Sequence, residues 1–190
     1  KKAPIITKMK AILEKQYQPL IYSWGESNNG TKSTADFDLT SYIQIKEFVK
    51  LIQPQKVVYL IIAWSDQKFS EMVFDRNNEL AAAALKNQII SGPQFCFCLA
   101  KELSARSDLK NCTVLFLMPD METYSPAFES IADLAAVIAN ENAQIQIKLI
   151  RVKDAVATGI DINRILATAS AKDTLGIHTL SFHNNQILIP

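Results

Sequence analysis

Glycine, histidine and cysteine are scarce in this sequence, and its positive and negative charges nearly cancel. There are five glycines among 190 residues. Loops that cradle phosphate or approach a ligand closely draw on glycine for positive φ and for its missing Cβ, so the scarcity argues against an ordinary nucleotide enzyme. The two histidines, His178 and His183, both stand near the C-terminus, which leaves little from which to build a His/Cys zinc cluster. Three cysteines leave an odd one. Cys96-Phe97-Cys98 lacks the C-x-x-C spacing of a redox pair, so Cys96, Cys98 and Cys112 are read as buried free thiols packed like small hydrophobes. No metal and no cofactor is expected. A formal net charge of +1 sets up no field that would draw in nucleic acid or anionic lipid, and no basic cluster is interleaved with aromatics. The longest apolar runs, such as residues 57–64, are far too short for a membrane span. No signal peptide is recognisable. The first residue is Lys1 rather than Met, so we expect an N-terminally truncated chain, soluble, with its compartment left open.

What is present is ordinary globular composition, with 48% hydrophobic and 21% charged residues. The length suits one domain and a sizeable core. Residues 1–18 read as a leader with a short amphipathic helix, and residues 19–190 as a single α/β domain. Residues 20–24 form a short apolar run between Pro19 and Gly25, a strand, followed by a polar loop. A helix is predicted over residues 39–52, where Ile45, Phe48, Val49 and Ile52 share one face and Pro54 ends the element. Residues 57–64 are a β-branched run of the kind buried on both faces of a sheet. A helix around Ala81 to Leu85 is broken by Ser91-Gly92-Pro93, and a new helix covers residues 94–104. Strands follow at 114–118 and 145–152. They flank an amphipathic helix at 126–140, with Ser125 as its N-cap and Pro126 at its first position. A short helix at 161–169 and a hairpin of residues 178–182 and 186–189 around Asn184-Asn185 close the chain. Alternating strands and helices imply right-handed crossovers. The expected fold is an α/β three-layer sandwich: a mostly parallel central sheet of about four to six strands, helices on both faces, and the C-terminal β-hairpin at an edge.

Ligands of open α/β sheets bind beyond the C-terminal ends of the strands, and three such ends are polar here. They are Gly25-Glu26-Ser27-Asn28-Asn29-Gly30, then Ser65-Asp66 after Trp64, then Asp120-Met121-Glu122 after Pro119. The stretch from Gly25 to Ser33 nearly spells a phosphate-binding P-loop. Thr31, however, separates the second glycine from Lys32, and a fixed cradle of backbone amides does not tolerate that shift. Ser27, alternatively, is placed where backbone N–H groups can stabilise an oxyanion. His178 and His183 are the only candidate bases, and Asp173 could orient His178. Triad logic rests on geometry, so the order Ser, Asp, His is acceptable.

Gly25-Glu26-Ser27-Asn28 resembles the first block of the SGNH (GDSL-type) hydrolases, in particular the carbohydrate O-acetylesterase branch. Gly92-Pro93-Gln94-Phe95, with Phe97, Leu99, Ala100 and Leu103 after it, is similar to the helix that follows that block. The resemblance implies a serine esterase working through an acyl-enzyme on a small ester substrate. Ser27 would be the nucleophile, with Asp173 and His178 as its partners, and Gly25, Asn28, Ser65, Asp66 and Asp120 would line the substrate site. The sequence departs from that family at three points. Trp64-Ser65-Asp66 has serine where the family's oxyanion asparagine stands. Leu175, not aspartate, precedes His178 by three residues. Pro119-Asp120-Met121-Glu122 replaces a glycine pair.

Simpler structural readings stand beside these. Ser27, Asn28 and Asn29 suit a turn. Asp66 and Asp120 suit helix N-caps, and the histidines suit hairpin strands. The alternative function is a non-catalytic α/β interaction or adaptor domain, a pseudoenzyme or component of a larger assembly, whose partner would be a protein.

Overall fold

The structure is a computed structural model. It describes residues 41–53, 58–63, 85–86, 88–119, 126–152, 162–171, 176, 178–183 and 186–188. In chain order these form α1 (Tyr42–Leu51), β1 (Val58–Ala63), a π-helical turn (Ile90–Gln94) leading directly into α2 (Phe95–Ser104), and β2 (Cys112–Pro119). Next come α3 (Pro126–Glu141), β3 (Ile145–Val152), α4 (Ile162–Ser170), β4 (Thr179–His183) and β5 (Gln186–Leu188). The sheet order is β1-β2-β3-β4-β5. β1 to β4 run parallel and β5 returns antiparallel. The α/β architecture read from the sequence is therefore present, with its hairpin at the sheet edge. The strand expected at residues 20–24 and the leader at 1–18 lie outside the described residues.

The strands are apolar on both faces because helices cover both. Cys112, Val114, Phe116 and Met118 of β2 and Ile145, Ile147 and Leu149 of β3 share one face and one hydrophobic cluster. Against them pack Phe95, Cys96, Leu99, Ala100 and Leu103 of α2, and Phe128, Ile131, Ala135 and Ile138 of α3. Phe95 meets Phe116 edge-on at 6.2 Å between ring centroids, the favoured aromatic geometry. The alternate residues of the strands face the other way. There Leu115, Leu117, Ile150 and Leu180 are buried outside that cluster, and α4 lies over β2 with Ile165 buried. The β3–α4–β4 connection is thus of opposite hand to the two before it, where the sequence alone suggested one common hand.

The π-helical turn corrects the expected break at Ser91-Gly92-Pro93. Residues 88–104 run on through it as helix. Proline has no N–H to give an i−4 carbonyl, and a π-turn removes the demand for one. Gly92 lets the turn approach α3 closely, since a Cβ there would sit 3.3 Å from the Phe128 ring, a tight contact.

α1 forms where its apolar spacing predicted. Ser41 caps it, its Oγ accepting from Gln44 N at 3.4 Å, and Ile45 and Val49 are buried with Phe48 packed beside them. Its C-terminal end is held from a distance. Arg106 donates from Nη1 to the Val49 carbonyl at 2.7 Å and from Nη2 to the Ile52 carbonyl at 3.0 Å, while both nitrogens facing Asp108 pair with it at 2.6 Å. The Val49 carbonyl also accepts from the Ile52 N–H at 3.3 Å, so Arg106 supplements the helix end, whose last carbonyls lack i+4 partners. Arg106→Ala is expected to cost roughly 1 kcal/mol. Arg106→Lys should recover only part of it, because the ammonium lacks the fork that spans two carbonyls and a carboxylate. Urea unfolding of the three proteins checks this.

Candidate functional site

The C-terminal ends of the parallel strands are the default place for a site in such a sheet. β2 ends at Pro119, β3 at Val152 and β4 at His183. One row inside that edge, Met118, Arg151 and Ser181 stand level across three strands. Arg151 donates through Nη2 to a carboxylate oxygen of Glu129 in a close ion pair. Glu129 lies in the first turn of α3, where a negative charge also meets the positive end of the helix dipole. The pair ties the end of β3 to the start of α3. It also gives the Arg151 guanidinium a carboxylate before any ligand arrives.

Among the sequence-predicted residues, Ser27, Asp173, Gly25, Asn28, Ser65, Asp66 and Asp120 lie outside the described residues. His178 is described, and it precedes β4 rather than ending it. Its carbonyl accepts from Leu149 N at 2.8 Å, and its Nδ1 lies 3.4 Å from the Ile147 carbonyl. The next residue, Thr179, pairs with Leu149 and Phe182 with Val152. His178 therefore stands four residues, about 13 Å, short of the level at which β3 ends, bonded into the flank of β3. It is part of the sheet rather than of its C-terminal rim. No group of three or more His, Cys, Asp or Glu able to hold a metal occurs among the described residues, and none of their helices is long and apolar enough to cross a membrane.

All three thiols are described, and all are free. Burial pushes Cys96 up to about 12 and Cys112 to about 11, and raises Cys98 as well. The thiolate is the reactive form, so these are poor nucleophiles at neutral pH. A thiol reagent such as dithiobis(nitrobenzoate) is expected to modify only Cys98 in the folded protein, and that slowly, and all three cysteines after denaturation. The number of thionitrobenzoate equivalents released checks it.

Lys148 was not singled out by the sequence. It is 2% exposed, in the middle of β3 on the face opposite the main core, and burial lowers its ammonium to about 8. It shares β3 with Gln146 and Arg151, so the sequence carried no signal that set it apart.

The described residues form a sheet of four parallel strands in unbroken sequence order, closed by an antiparallel hairpin and covered by helices on both faces. Comparison with solved structures finds the same α/β fold. The ketoreductase-containing multidomain structure of a keto acid-selecting NRPS module aligns with 96% of this chain at a TM-score of 0.70 and 11% identity. An N-terminal ketoreductase from the macrolactin assembly line aligns with 94% at 0.65 and 15% identity. A carbonyl reductase from Pseudomonas aeruginosa PAO1 aligns with 96% at 0.56 and 13% identity. This chain spans 15%, 36% and 93% of those three chains, respectively. At such identities the likeness is one of fold. In sequence, the chain belongs to the family described as beta-ketoacyl synthase-like, N-terminal, whose model matches residues 15–171. No curated protein matches the chain.

These findings overturn the resemblance to SGNH hydrolases, and with it the serine-esterase function and the small ester substrate. Gly25-Glu26-Ser27-Asn28 is four residues long, and glycine, serine and asparagine are common turn formers. The second block, Gly92-Pro93-Gln94-Phe95, has a packing explanation in the π-turn against Phe128. The comparisons do not support the adaptor reading clearly either.

Proposed function

We propose that this chain is a ketoreductase-type α/β unit of a multidomain enzyme that processes keto acyl groups. The observation that carries the reading is the unbroken β1-β2-β3-β4 order with its closing hairpin, aligned over nearly the whole chain with a ketoreductase-containing NRPS structure and with a ketoreductase of an assembly line. The family's description points to the same β-ketoacyl chemistry. Reduction is favoured over condensation because the structures that align over most of this chain include a ketoreductase and a carbonyl reductase.

Hydride transfer to a ketone needs a nicotinamide cofactor. The sequence contains no G-x-G-x-x-G fingerprint, and the described strands do not reverse order, so they supply no switch point for a dinucleotide. In this reading the chain forms one part of a ketoreductase, and the cofactor is held by another segment of the longer polypeptide. The test is NADPH consumption with a β-ketoacyl N-acetylcysteamine thioester. The longer polypeptide should oxidise NADPH and this chain alone should not. A longer polypeptide that reduces no β-ketoacyl thioester overturns the reading, and so does NADPH oxidation by the isolated chain.

A further inference from the structure

We draw no further inference here: the strongest candidate, the outer face of α2 and α3 on which Phe97 and Val137 stand exposed at 54% and 53%, carries nothing because nothing in the structure shows what covers it.

Discussion

Phe128→Ala will lower the stability of the fold by about 3–5 kcal/mol, the range for truncating a fully buried aromatic ring. Phe128 is 0% exposed and belongs to the cluster between the sheet, α2 and α3. Its ring also meets Gly92 where the π-turn comes closest to α3. Truncation therefore leaves a cavity in the core and removes the surface against which the π-turn rests. A backbone carrying Pro93 has few ways to move into that space. For a chain of this size the melting temperature should fall by roughly 10 °C. Val137→Ala, on the exposed side of the same helix, should change stability by no more than about 0.5 kcal/mol. Thermal melts of the two variants followed by circular dichroism decide it. A Phe128→Ala protein that melts with the wild type would mean that α3 does not pack on the sheet as described.

The second large effect is a dependence on alkaline pH. Burial holds the Lys148 ammonium at about 8, against the usual lysine value of 10.5. Below about pH 8 both the folded and the unfolded chain keep that proton, and in the folded state the ammonium is held in a partly desolvated position. Between about 8 and 10.5 the unfolded chain binds more protons, so stability rises with pH across that window. The full shift would correspond to about 3 kcal/mol; allowing for screening, a gain of roughly 2 kcal/mol is expected. Lys148→Met removes the titration and keeps an unbranched side chain of similar length. Urea unfolding at pH 8 and pH 10 should show wild type gaining on Lys148→Met by about 1–2 kcal/mol. The other lysines titrate in both proteins, so the difference between the two isolates residue 148. Equal pH slopes would place Lys148 in water rather than on a covered sheet face.

The same residue shows where sequence reasoning stops. Residues 145–152 read as a strand because their apolar content identifies one, and β3 forms over those residues. The identity of a strand does not say which face is covered or by what, so the lysine in its middle looked no different from a solvated one. Arg106 is similar. It is an ordinary charged residue just beyond a helix until the fold brings the end of α1 beside it, 57 residues away in sequence from Val49. Local signals misled at Gly92-Pro93. That pair is a sound helix breaker by itself, yet the helix continues through it as a π-turn with Gly92 lying close to the Phe128 ring.

The candidate site was less legible than the fold. The Gly25-Glu26-Ser27-Asn28 stretch suggested a nucleophile because serine after a strand suits an oxyanion pocket, but turn chemistry uses the same residues. His178 suggested a base because the chain has only two histidines and Asp173 could orient it. The register sets its backbone against β3, about 13 Å from the rim where the parallel strands end.

By itself, the sequence determined the class of the fold. Periodicity fixed α1, α2 and α3, apolar runs fixed β1 and β2, Ile and Leu at intervals along 145–152 marked β3, and the closing hairpin was written in its two short strands. These are local properties, set by the spacing of apolar side chains along the chain. Only the tertiary structure decided the sheet order, the side on which α4 lies, the closed route through Pro93, and the covered position of Lys148. Each depends on which distant surfaces meet, and burial, not local propensity, sets the free energy of those choices.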